Sequence, residues 1–179
     1  AISSAASDVY KRQSLDNPNY QFVAARLLLF SLRKSLYGRI RELPTLFDHI
    51  NKCVDNQIYD ADILNKYTKE EIDHFDTVID HGRDFIFTYA GLRQVVDKYL
   101  VQDRSSGQVY ETPQFMYLLI AMTIFADYPQ ETRTDYVTRY YNAISKHKIN
   151  IPTPIMGGVR TPLRQFASCV LVDADDTLD

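Results

Sequence analysis

Residues able to do chemistry concentrate towards the C-terminal end. Thr153, Gly157, Gly158, Arg160 and Thr161, punctuated by Pro152, Pro154 and Pro162, precede an apolar stretch over 166–172 that carries Cys169. Hydroxyls, a cation and glycines that allow close backbone approach are the materials of an anion-binding nest. The same residues also suit a rigid, proline-punctuated connection, and they match no phosphate-binding fingerprint. Arg160 and Arg164 read equally as surface charges. Cys169 reads either as a redox thiol or as a small buried hydrophobe, and position alone favours packing. Asp173, Asp175, Asp176 and Asp179 lack the spacing of a calcium loop; they suit a sugar hydroxyl or, more blandly, a helix cap. His74, Asp76, Asp80, His81 and Asp84 cluster near one helix, where a solvated face and turn explains them better than a metal site.

The elements that must position these groups are mostly helical. Residues 1–17 are polar and aperiodic, a leader poorly ordered unless tied down. From Tyr20, Phe22, Val23, Leu27, Phe30 and Leu32 recur at helical spacing, with Arg26, Arg33 and Lys34 on the wet face and Gly38 as the stop. A second helix follows Pro44, and Thr68-Lys69-Glu70-Glu71 has the capping-box spacing that opens a third. Residues 85–99 continue the helical pattern. Apolar runs at 99–102 and 108–110 flank Asp103-Arg104-Ser105-Ser106-Gly107, the pattern of a small hairpin. Thr112-Pro113 opens a helix over 115–126 that is apolar all round and therefore central. Residues 131–147 are amphipathic, with Val137, Tyr140, Tyr141 and Ile144 inward. The run at 166–172 resembles a strand buried on both faces, yet the sequence offers few strands to pair with it.

Composition narrows the function. The chain has 179 residues, 45% hydrophobic and 24% charged, enough for one domain with a sizeable core. A net charge of −3 gives no electrostatic reason to expect nucleic acid or an anionic membrane as a partner. The longest apolar run is too short to span a bilayer. Two cysteines, Cys53 and Cys169, do not make a disulfide framework, which points to a reducing, cytoplasmic setting.

The segments Thr153-Pro154-Ile155-Met156, Val159-Arg160-Thr161-Pro162 and Gln165-Phe166-Ala167-Ser168-Cys169-Val170-Leu171 resemble the catalytic large (alpha) subunit of class I ribonucleotide reductases. So do Tyr20-Gln21-Phe22-Val23-Ala24-Ala25-Arg26-Leu27, Ile79-Asp80-His81-Gly82-Arg83-Asp84, Lys98-Tyr99-Leu100-Val101 and Tyr128-Pro129-Gln130-Glu131-Thr132-Arg133. The resemblance implies a mainly α chain, the helical N-terminal region of a ten-stranded α/β barrel fold, with a small hairpin and only the first barrel strand. It divides the chain into a flexible leader (1–17), a helical N-terminal domain (18–148) and a substrate loop with first barrel strand (149–179), completed by another chain.

The activity implied is radical reduction of ribonucleoside diphosphates to 2′-deoxyribonucleotides. By resemblance Cys169 is the barrel-strand cysteine that delivers reducing equivalents to the 2′ carbon and joins a disulfide in each turnover, reset by thiol–disulfide exchange with thioredoxin or glutaredoxin. Thr153 and Ser168 match positions that contact substrate phosphate or ribose, and Asp176 matches the acid that holds the sugar of a deoxynucleoside triphosphate effector. Position 157, glycine here, often carries a hydroxyl in the family, so phosphate contact there would come from the backbone.

No cofactor or metal is expected on this chain itself. ATP and deoxynucleoside triphosphates are the implied effectors, the radical comes from a metal-containing beta subunit, and the complete protein is an alpha dimer. The second redox cysteine, the radical-bearing cysteine, its supporting Asn and Glu, the radical-transfer tyrosines and the mobile terminal cysteines are all expected elsewhere, and little of an ATP cone fits in the leader. The expectation is therefore a split large subunit, inactive until a complementary C-terminal fragment joins it. The alternatives are a truncated large subunit and a non-catalytic helical module for interaction or regulation.

Overall fold

The computed structural model describes residues 2–103, 105–163, 166, 167, 169 and 171. Helices α1 (Ile2–Asp8) and α2 (Ser14–Asp16) are joined by a π-helical turn, Val9–Gln13, and α1 lies against α3 (Tyr20–Tyr37). Ala6 is fully buried there, and Tyr10 stacks on Tyr89 with ring centroids 4.6 Å apart. The opening segment is thus held against the helices that follow.

Helix α3 stops where the sequence places the stop. Gly38 takes φ +69°, and its N–H donates to the Lys34 carbonyl; a left-handed cap of this kind favours glycine. The inward face differs from expectation. Ala25, Leu28, Leu29 and Leu32 form the buried stripe, Val23 is exposed, and Arg33, expected on the wet face, is buried. The stripe is rotated because Arg33 finds a buried carboxylate to pair with, a long-range partner that periodicity does not register.

Helix α4 (Leu46–Asp55) is capped by the Thr45 hydroxyl, which accepts from the Asp48 N–H at 3.1 Å. After the short α5 (Asp62–Lys66), α6 (Lys69–Val78) opens with the full capping box: Thr68 Oγ1 accepts from Glu71 N–H and Glu71 Oε2 accepts from Thr68 N–H. A 3₁₀ turn (His81–Ile86), α7 (Tyr89–Gln94) and a π turn (Val95–Tyr99) carry the chain to the hairpin. That hairpin is minimal: one antiparallel bridge, Gln102 to Val109, with Asp103 and Gly107 closing the turn.

Helix α8 (Pro113–Ile124) is central as its composition requires, with every residue from 113 to 122 buried. It packs against α9 (Gln130–Ser145) and against α10 (Thr153–Gly158). The last element is a correction, because 152–161 reads in sequence as a loop and possible nest. Pro152 instead caps a short helix, and the N–H groups of Met156 and Val159 donate to the carbonyls of Pro152 and Ile155. Its glycines keep helical backbone, so those N–H groups do not converge on an anion.

Among the described residues there is no β-strand beyond the isolated bridge. The expected barrel strand over 166–172 falls partly outside them. Phe166, Ala167, Cys169 and Leu171, which are described, belong to no strand; a strand needs a hydrogen-bonding neighbour. No helix among the described residues is long and apolar enough to cross a membrane.

Candidate functional site

Thr153 is the first residue of α10 and is exposed, beside the hydroxyl of Tyr99 at the end of the π turn. Hydrogen bonding from Thr153 first, then from Gln94, holds the Tyr99 phenol below its ordinary pKa. Between α10 and the hairpin opens a cleft of about 830 Å³, lined among others by Lys98, Tyr110, Thr153, Gly157 and Gly158. It brings the Lys98 cation together with the hydroxyls of Tyr110, Thr153 and Thr161 and the carboxylate of Asp103, a polar lining that carries both signs of charge.

Behind this cleft lies a fully buried polar chain. Arg160 Nε donates to Glu111 Oε2 at 2.9 Å, and Arg160 Nη2 also reaches Glu111 Oε1. The guanidinium further donates to the carbonyls of Met156 at 2.6 Å and Tyr99 at 3.0 Å. Glu111 accepts in addition from the Tyr59 hydroxyl at 2.6 Å and the Val101 N–H at 2.7 Å. Since Tyr59 gives its only proton to Glu111, His49 Nε2, 2.9 Å from the Tyr59 oxygen, is the donor of that contact. Burial pushes His49 down to about 4, so the imidazole is neutral with its proton on Nε2. Burial also opposes the charge on Arg160, yet Glu111 holds it protonated above its ordinary value.

Two further charge pairs brace the helices. Arg33 Nη2 donates to Asp84 Oδ2 at 3.0 Å and to the His81 carbonyl at 2.9 Å. Gln114 donates to the other Asp84 oxygen, and the Tyr141 hydroxyl donates to Gln114. Burial raises Asp84 to about 6 despite Gln114 and Arg33. The His/Asp cluster expected on a solvated face is therefore partly an interior brace. Arg133 grips Glu71 with two bonds of 2.8 and 2.6 Å and lies 4.4 Å above the Tyr67 ring, tying α9 to α6. Among the described residues no group of three His, Cys, Asp or Glu could hold a metal ion.

Of the site residues expected from sequence, Thr153 lines the cleft and Cys169 is exposed but is not among the cleft's lining residues. Ser168 and Asp176 lie outside the described residues. Cys53 is buried, and desolvation pushes its thiol up to about 12, so it is an inert packing residue. Sequence reasoning missed Glu111 and left Arg160 open as a surface charge; Arg160 is instead fully buried, because Glu111 awaits it in the interior. The available signal was Glu111 itself, an acid directly abutting the start of an all-apolar helix.

Residues 85–164 match the family described as ribonucleotide reductase, all-alpha domain. Over 178 residues, 99% of the chain, the sequence is 52% identical to the ribonucleoside-diphosphate reductase subunit alpha of Haemophilus influenzae. It is likewise 52% identical to the ribonucleoside-diphosphate reductase 1 subunit alpha of Escherichia coli strain K12. Across 177 residues it is 47% identical to the subunit alpha of Enterobacteria phage T4. The chain spans 23% of the length of each of these relatives.

Proposed function

We propose that the chain, whose residues 85–164 match the ribonucleotide reductase all-alpha domain, is the N-terminal helical part of an alpha subunit that reduces ribonucleoside diphosphates to 2′-deoxyribonucleotides. The observation that supports this reading is identity of about half over 99% of the chain to proteins named for that reductase. Because the chain spans 23% of their length, the activity belongs to the assembly it forms with the rest of the subunit.

In that assembly Cys169 is one of two thiols oxidised together to a disulfide, giving two electrons to the 2′ carbon as its hydroxyl leaves as water. A dithiol reductant of the thioredoxin or glutaredoxin class then restores both thiols. Thr153 and Ser168 contact the diphosphate or ribose, and the cleft beside α10 offers Lys98 for the same anion. Asp176 holds the sugar of a deoxynucleoside triphosphate effector. A beta subunit supplies the radical, and the completed alpha subunit dimerises.

The test is reconstitution. The chain is combined with the remainder of an alpha subunit and a beta subunit, and conversion of radiolabelled nucleoside diphosphate is followed. Deoxynucleotide should form only when all three parts are present. Failure to associate or turn over, where the relative's own N-terminal part succeeds, would reject the reading.

A further inference from the structure

We propose that Arg160 is a positioning residue that sets the place of Thr153 in the cleft, an inference that rests on the reading of Thr153 as a substrate contact. Helix α10 has six residues, too few to hold its own shape in water. Its placement must come from tertiary anchors, and Arg160 supplies them in pairs. One amino group donates to the carbonyl of Met156, within α10 itself. The other donates to the carbonyl of Tyr99, the last residue of the π turn that borders the cleft. Arg160 therefore ties α10, which opens with Thr153, to the end of the π turn from behind, 2.6 Å from one anchor and 3.0 Å from the other.

The guanidinium is itself fixed. Glu111 accepts from Nε and Nη2, and its two oxygens are held by the Tyr59 hydroxyl and the Val101 N–H, which fixes the pair in place. The Asp60 N–H donates to the Arg160 carbonyl at 3.0 Å, which pins the backbone too. A buried ion pair is weak evidence for stability, since apolar replacements often serve as well. A planar fork that bonds a carboxylate and two separate carbonyls at once does something apolar residues cannot, and lysine, a single point charge, cannot reproduce it. Misplacement of a substrate contact by an ångström can cost on the order of a hundredfold in an enzyme.

A double-mutant cycle separates positioning from mere stability. Thr153→Ala, Arg160→Lys and the double variant are assembled with the remaining alpha part and the beta subunit, and KM for the nucleoside diphosphate and kcat are measured well below each variant's unfolding midpoint. Each single change should raise KM about tenfold, and the double variant should stay within about twofold of either, because both remove the same contact. Multiplying effects, or an unchanged KM in Arg160→Lys beside a raised KM in Thr153→Ala, overturn the inference while leaving the substrate reading standing. An unchanged KM in Thr153→Ala removes the substrate reading, and the inference with it. Should Arg160→Lys not fold, Glu111→Gln, nearly the same size, goes through the same cycle with the same outcomes.

Discussion

Arg160 and Glu111, 49 residues apart in sequence, face each other in the interior with side chains 1% and 0% exposed. They join the hairpin, α10, and the start of α8 through one carboxylate and one guanidinium. Removing either partner leaves the other charged and without its counter-ion inside. Arg160→Ala should therefore destabilise the fold by about 4 kcal/mol, read as a fall in the urea midpoint with an unchanged slope. A loss below about 1 kcal/mol would mean that water or another side chain replaces the guanidinium.

Acid should unfold this protein by way of its neutral imidazoles. Burial places His49 at about 4 in the fold, below the ordinary 6.5, so the unfolded chain binds its proton first. The stability that neutral His49 contributes is complete above about pH 6.5 and is lost as pH falls towards 4, amounting to about 2 kcal/mol at pH 5. His81, also lowered to about 4 by burial and Arg33, acts in the same sense. Asp84 acts oppositely: raised to about 6 from 3.8, it favours the fold as it protonates. Two groups outweigh one, so stability should decline from pH 6.5 to 4. Glu111, Lys52, His81 and Arg160 all act on His49, and His49→Gln should flatten the decline in unfolding profiles taken at half-unit steps.

The Arg133–Glu71 pair is two-pronged and lies over Tyr67. Arg133→Lys keeps the charge but loses the fork and most of the stacking, and should cost about 1–2 kcal/mol. Thermal unfolding should show a midpoint lower by roughly 3–6 °C for a domain of this size. A midpoint equal to the parent's would reduce the pair to a simple charge contact.

At Gly38 the backbone alone decides. Its φ of +69° is unfavourable to side chains, while a Cβ there meets nothing within 4 Å. Gly38→Ala should cost about 1 kcal/mol and Gly38→Asn less, measured by equilibrium denaturation. Equal losses for the two would point to something other than backbone strain.

Local signals carried much of the architecture. The Thr68–Glu71 capping box, the Gly38 stop, the Thr112-Pro113 start and the apolar α8 all act within a few residues, and each is visible as spacing. What spacing cannot show is a partner far along the chain. Arg33 looked wet because Asp84 lies 51 residues away, and Arg160 looked like a surface charge because Glu111 lies 49 residues away. Helix α10 was hidden by its prolines and glycines, which mark loops by composition but are tolerated at a helix's first turn and in a single short one. Of the site, Thr153 was legible as a hydroxyl near glycines, whereas the buried scaffold behind it was not.

The most direct test of the proposed role is Cys169→Ser in the reconstituted reductase, with nucleoside diphosphate reduction and assembly measured on the same samples. Reduction should fall to background, while association with the remaining alpha part and binding of the nucleotide stay at parent levels. Sustained turnover by the serine enzyme, with thioredoxin or glutaredoxin as reductant, would contradict the assignment of Cys169 as one of the two redox thiols.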